Sequence, residues 1–252
     1  MTSNFFFIRK SQLQSSSVVL DGEEHHHLSN VVRLKPRDRV RLFDEDGTKY
    51  LAEIDEIARE WTRLRILTRR ERDRNPVKII LAQALIRAKK MEFILQMATE
   101  LGISMLVPVL SARSIVKIAD RSRQKVERWN KIARESAKQC KSGLVPKIAA
   151  PLSLKAFLIE QEGARKFYLS ERRGTCLREI LTSGHWLGPG SGQDGEPSEI
   201  IILVGPEGGW AEEEENLIAG HGYEAVSLGK NILRAETAAL AAVAIVSLFW
   251  MW

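Results

Sequence analysis

The chain has 252 residues, 44% of them apolar and 28% charged, which supplies material for an extended core and argues against broad disorder. Its two cysteines, Cys140 and Cys176, are too few for a disulfide scaffold or a cysteine-rich zinc site and fit a reducing, cytoplasmic setting. The apolar run Phe5-Phe6-Phe7-Ile8 stops at Arg9 and Lys10 and does not read as a secretory signal. The longest apolar stretch, residues 238–252, falls short of the roughly 20 residues a membrane-spanning helix needs.

The net charge is +6, but its distribution is more telling. Residues 113–147 hold eleven basic side chains against three acidic ones (Asp120, Glu127 and Glu135). A second cluster, Arg63, Arg65, Arg69, Arg70, Arg72 and Arg74, is interrupted only by Glu71 and Asp73. Such clusters suit a polyanion, through phosphate neutralisation and counterion release, or else a solvated helix face and a charged linker.

Taken in order, the first seventy residues read as strands. Arg39-Val40-Arg41-Leu42-Phe43 alternates, Asp44 to Gly47 is a turn, and residues 50–54 and 61–67 follow as strands, the spacing of a small barrel. Residues 69–76 are charged, unpatterned and end in Pro76, marking a domain boundary. Residues 77–81 then form an apolar strand. Met91, Ile94, Leu95, Ala98 and Leu101 fall at helical spacing before Gly102, and residues 105–109 form another strand. Residues 121–140 form a long helix with Val126, Trp129, Ala133, Ala137 and Cys140 on one face and much of the basic cluster on the other. Further strands fall at 166–169, 200–204 and 225–228, with helices between. This alternation predicts a mainly parallel sheet covered on both sides. Residues 184–198, with five glycines and two prolines, read as a surface loop.

Two turns carry candidate chemistry. Leu203-Val204-Gly205-Pro206-Glu207-Gly208-Gly209-Trp210 is a strand entering a glycine-rich turn, where backbone approaches a ligand closely and N–H groups are free to bind it. It matches neither a P-loop nor a dinucleotide fingerprint. Leu228-Gly229-Lys230-Asn231-Ile232-Leu233-Arg234-Ala235-Glu236 repeats the strand-to-turn pattern and opens an almost wholly apolar helix. Ligands in open α/β sheets sit beyond the carboxyl ends of strands, so the pair predicts one pocket. The run His25-His26-His27 does not suit a metal, because consecutive residues converge poorly on one ion. Trp250 and Trp252 read as core or dimer contacts.

These motifs resemble those of the RsmE family of 16S ribosomal RNA (uracil-N3)-methyltransferases in the SPOUT class. The resemblance rests on residues 203–209, on Leu228-Gly229 with 234–238, on Met97-Ala98-Thr99-Glu100-Leu101-Gly102 with Pro108, on residues 111–117, and on His26-His27-Leu28 with Val32-Arg33-Leu34. The chain departs from the family at Arg37, where glycine is usual, at Ala112 in place of glutamate, and at Ser142 in place of arginine.

The resemblance implies an α/β fold: a SPOUT-type knotted parallel sheet over residues 73–252, preceded by a PUA-like RNA-binding β-barrel over residues 1–72. It implies S-adenosylmethionine as cofactor, bound by Leu169, Ser170 and Glu171, by Leu203, Val204, Gly205, Pro206, Glu207, Gly208 and Gly209, and by Leu228, Gly229, Asn231, Ile232 and Leu233. Arg234 and Glu236 are the candidate catalytic residues, Arg234 to hold the uridine and Glu236 as base or to orient Arg234. Expected partners are 16S rRNA, in the decoding region of the small ribosomal subunit, and a second copy of the chain packed through residues 238–252; no metal or membrane is expected. A side chain at Gly208 is expected to block the cofactor. Methylation of another RNA or of a ribose hydroxyl, and RNA binding without catalysis, are the competing functions.

Overall fold

The computed structural model describes residues 5–71, 77–114, 122–159, 164–182 and 199–250. Contacts divide the chain into two units, Met1–Arg74 with Arg134–Val145, and Asn75–Ala133 with Pro146–Trp252. The boundary expected at 72/73 lies outside the described residues, as does the glycine-rich loop 184–198. Residues 134–145, assigned by the sequence to the second domain, group with the first unit.

The first unit contains β1 (Phe5–Phe7), β2 (Leu13–Gln14), β3 (Ser17–Asp21), α1 (Gly22–His26), β4 (Arg39–Phe43), β5 (Lys49–Ile57) and β6 (Trp61–Arg70). The strands form one sheet in the order β1-β4-β5-β6-β3-β2, with β1 parallel to β4 and the other ladders antiparallel. Alternate residues, including Val40, Leu42, Ala52, Ile54 and Leu64, turn into a core with Phe6, Val18, Leu20 and Leu28. The turn between β4 and β5 is fixed by the buried Asp44, which accepts the N–H groups of Asp46 (3.0 Å) and Thr48 (2.9 Å) and the Tyr50 hydroxyl (2.9 Å).

Two expectations for this unit need correction. Arg69 and Arg70 belong to β6 and not to a linker, because the strand continues past its apolar stretch as the partner of Lys49 and Tyr50. Arg63 and Arg65 are not free cations but are ion-paired across the sheet, with Glu56 (3.4 Å) and with Glu53 (2.8 Å) and Asp55 (3.3 Å). His25 is buried, with its ring nitrogens at 2.8 Å from Thr62 Oγ1 and 3.2 Å from the Arg59 carbonyl.

The second unit runs β7 (Lys78–Ala84), α2 (Ala88–Glu100), β8 (Met105–Leu110), α3 (Ser122–Gln139), β9 (Lys147–Ile148), β10 (Leu152–Ser153), α4 (Leu154–Ile159), β11 (Arg165–Leu169), β12 (Thr175–Cys176), α5 (Leu177–Thr182), β13 (Glu199–Val204), α6 (Glu212–Gly220), β14 (Glu224–Ser227) and α7 (Ala235–Trp250). The last six residues of α3 group with the first unit, where Lys138 is buried between Glu24 and Glu135, both at 2.8 Å. Lys138 is therefore no part of an exposed basic face.

All eight strands of the second sheet are parallel, in the order β10-β8-β7-β13-β11-β14-β12, with β9 also pairing with β8. The central strands are near-continuous apolar runs because helices cover both faces. Ile201 and Leu203 pack with Phe157 and Leu158 of α4 and Ile218 of α6. Their alternates on β13 point to the opposite face, against which α7 packs with α2 beside it. No described helix is long and apolar enough to cross a membrane. The apolar residues of α7 are not all covered: Leu248 is 67% exposed.

Candidate active site

The segments that follow β11, β13 and β14 leave the carboxyl ends of adjacent parallel strands and enclose a cavity of about 540 Å³. Its walls are residues 169–174, 204–210 and 226–235, with Lys90, Arg113, Glu215 and Ala238. All the expected cofactor residues line it except Leu203. Leu203 is fully buried in the core on the α4 and α6 side, because its neighbour Val204 takes the opposite face of the same strand.

The Gly-rich turn after β13 is held by side chains from three directions. Trp210 Nε1 donates to the Leu169 carbonyl (3.2 Å), tying this turn to the end of β11. Gln83 Nε2 donates to the carbonyls of Ala84 (2.9 Å) and Gly205 (3.2 Å). Arg113 Nη1 donates to the Gly208 carbonyl at 2.8 Å. Glu214 accepts the N–H of Ala112 (2.7 Å) and of Ala211 (3.0 Å), fixing the segment that carries Arg113 to the start of α6. The turn does not leave all its N–H groups free, as Gly209 N–H donates to the Pro206 carbonyl at 3.0 Å. Gly209 has a φ of +66°, which a side chain rarely adopts, whereas a Cβ on Gly208 would meet only Arg113 at ordinary contact distance. The backbone conformation therefore demands glycine at 209, while at 208 the protein itself leaves room for a Cβ on the cavity side of the turn.

The wall after β11 depends on a buried Ser170 hydroxyl. It donates to Glu215 Oε1 (2.8 Å) and accepts the N–H groups of Arg172 (3.2 Å) and Arg173 (3.1 Å), shaping the turn that returns to β12. Glu215, 2% exposed, also faces Arg173 Nε at 3.7 Å.

Arg234 lines the cavity and is exposed; its guanidinium has no hydrogen bond or ion pair among the described residues. Glu236 does not line it. Standing in the first turn of α7, its carboxylate turns to Lys90 Nζ at 3.2 Å. Burial alone would raise the Glu236 pKa, but its own backbone N–H, Lys90 and Arg234 outweigh burial and hold it below the ordinary value. Turned to Lys90 and outside the cavity lining, the Glu236 carboxylate is placed to hold Lys90 more directly than to meet a ligand in the cavity. Lys90 also reaches Glu207 Oε1 at 3.3 Å. Lys90, Arg113, Trp210 and Glu214 are not among the candidate site residues of the sequence, although Trp210 closes the glycine motif and Arg113 lies in the 111–117 block.

A parallel sheet whose strand-end loops converge on one pocket, in a chain that also carries a mainly antiparallel sheet in its other unit, is the architecture of the SPOUT-class RNA methyltransferases that the chain matches. The family model for an RNA methyltransferase domain matches residues 73–247, and that for an RNA methyltransferase PUA domain matches residues 20–60. The ribosomal RNA small subunit methyltransferase E of Synechocystis sp. is 32% identical over 94% of this chain and 75% of its own length. That of Bacillus subtilis is 30% identical over 98% and 96%. The crystal structure of the Neisseria gonorrhoeae enzyme of that name, bound to S-adenosylmethionine, superposes with a TM-score of 0.86 at 31% identity, covering 99% of this chain and 98% of that one. The chain belongs to the ribosomal RNA small subunit methyltransferase E family.

Proposed function

We propose that the chain methylates N3 of a uridine in 16S ribosomal RNA within the small ribosomal subunit, using S-adenosylmethionine, in the cytoplasm and as a homodimer. The observation that carries this reading is the single cavity built by the ends of β11, β13 and β14, together with the cofactor bound by the Neisseria relative.

The residues present fit that cofactor. A volume of about 540 Å³ lies within the range of small-molecule sites. Glu171 and Glu207 face the cavity, and Glu207 Oε2 is buried with no hydrogen-bond partner among the described residues, which suits a cationic ligand group. When bound, the cofactor supplies an electrophilic methyl group on a sulfonium. Apolar Leu228, Ile232 and Leu233 would pack on the adenine, and the backbone of 205–209 would border it.

Uridine N3 lies on the Watson–Crick edge and must be unpaired and deprotonated before it attacks. Of the cavity-lining cations with no ion pair among the described residues, Arg172, Lys230 and Arg234, we assign to Arg234, at the start of α7, the holding of the uracil and the stabilising of its anion. The dimer is proposed on the exposed Ile245, Leu248 and Phe249 of α7, since a two-fold contact would cover such a face.

The test is mass mapping of methylated nucleosides in 16S rRNA from cells lacking the protein, paired with calorimetry of S-adenosylmethionine binding. Loss of one 3-methyluridine, restored by the wild-type chain and not by Arg234→Ala, is expected. An unchanged 3-methyluridine content would overturn the assignment.

A further inference from the structure

Lys89 and Lys90 occupy the first turn of α2, which holds no acidic residue. Cations there oppose the helix dipole, so the helix gains nothing from them. Lys90 is nonetheless drawn down to one-third exposure, with Nζ at 3.3 Å from Glu207 Oε1 and 3.2 Å from Glu236 Oε2. Those two carboxylates come from different segments: Glu207 from the cavity-lining turn after β13, and Glu236, which does not itself line the cavity, from the start of α7, two residues beyond the lining Arg234. Their other surroundings add no second cation at hydrogen-bond distance among the described residues; Arg234 acts on Glu236 only through space.

We propose that Lys90 is a positioning residue: its ammonium latches the Gly-rich turn to the mouth of α7 and so sets the gap between the cofactor wall and Arg234. The inference rests on the cofactor reading above. Without Lys90, two carboxylates with side-chain exposures of only 23% and 15% face one another uncompensated. Their repulsion drives the two walls apart, and the ligand must pull them together again. Glu236 loses its main external cation, so its pKa rises toward the ordinary value.

The test is calorimetric titration of S-adenosylmethionine into the wild type, Lys90→Met, Lys90→Arg, Glu236→Gln and the Lys90→Met/Glu236→Gln double variant, with the melting temperature of each recorded. A pair of intermediate burial lies between the exposed and buried limits, so Lys90→Met should weaken binding by about ten- to a hundredfold. Lys90→Arg should retain most of the affinity. The double variant should bind better than Lys90→Met, because removing one carboxylate relieves the repulsion. If Lys90→Met does not fold, Glu207→Gln and Glu236→Gln each cut one arm of the latch and should each weaken binding at least threefold. Affinity of Lys90→Met within twofold of wild type, additive losses in the double variant, or unaffected single-arm variants would overturn the latch. A wild type that binds no S-adenosylmethionine would instead overturn the proposed function.

Discussion

Gly174 gives the sharpest test of how the cavity wall is built. The chain turns at 170–174 and enters β12, whose Thr175 pairs with Val226 of β14. This brings the Gly174 backbone so close to β14 that a Cβ would lie 2.8 Å from the carbonyl carbon and oxygen of Ala225 and from the nitrogen of Val226. These are backbone atoms in a paired strand and cannot swing aside as a flexible side chain would. Gly174 also has a φ of +121°, outside the range of side-chain-bearing residues. Gly174→Ala should therefore cost about 1–3 kcal/mol for overpacking and a further 1–3 kcal/mol for backbone strain. A total of about 2–6 kcal/mol lowers the melting temperature by roughly 4–24 °C for a protein of this size. Gly222→Ala is the control, since Gly222 has a φ of +78° with nothing within 4 Å and carries only the backbone cost. Scanning calorimetry of the two variants separates the contributions. Gly174→Ala melting no lower than Gly222→Ala would refute the claim that close approach to β14 shapes this wall.

Other outcomes follow from the same geometry. Arg37, which stands where the family usually has glycine, has a φ of +77°, so Arg37→Gly should relieve strain and stabilise the first unit by about 0.5–1 kcal/mol in denaturant titration. Glu236 has a lowered pKa, so its contribution is present above the ordinary value of 4.5 and is lost as pH falls through the lowered value; Glu236→Gln should flatten the acid loss of stability in a pH series of melting curves. On the proposed two-fold contact the wild type should sediment as a dimer and Leu248→Glu should shift toward monomer. Arg41→Ala and Arg69→Ala should each lower the salt slope of RNA binding by about 0.7–0.9, whereas Arg65→Ala, already paired with Glu53 and Asp55, should change it less.

Much of this was legible in the sequence, and the misses have physical causes. Strands β4 to β6 alternate over much of their length because one face of their sheet is buried, and β7 and β13 read as apolar runs because both of theirs are. Phe5–Phe7 showed no alternation, and its strand exists through a parallel pairing with the distant Arg41–Phe43, which no local pattern announces. Two of the three cavity segments, 203–209 and 228–233, were legible because glycine turns after apolar strands are local features, whereas 169–171 came only with the family resemblance. Leu203 was misplaced although the two-residue period forbids it: if Val204 reaches the cavity, its neighbour must face away. Lys90 was invisible because its role is defined by Glu207 and Glu236, more than 100 residues away in the chain.

The same long-range pairing changes what the net charge means. Counting residues 113–147 suggested a dense basic surface, yet Arg128 is clamped by Glu92 at 2.6 and 2.8 Å, Arg123 meets Glu127 at 3.2 Å, and Lys138 is buried between two glutamates. In the first unit Arg63 and Arg65 are paired across the sheet. Counterions condense on phosphates and are released by cations that replace them, and a cation already held by a carboxylate must break that pair first. The electrostatic footprint offered to RNA is therefore smaller than the clusters and falls on side chains such as Arg41 and Arg69, which are exposed and have no ion pair among the described residues. Within the cavity Lys90, Arg113 and Arg173 are engaged by Glu207 and Glu236, the Gly208 carbonyl, or Glu215 and Asn216, whereas Arg172, Lys230 and Arg234 have no ion pair among the described residues, and of these three Arg234 stands at the start of α7. Charge that is spent on holding the walls cannot also stabilise a uracil anion, and the unengaged guanidinium at the mouth of α7 is where that anion would be met.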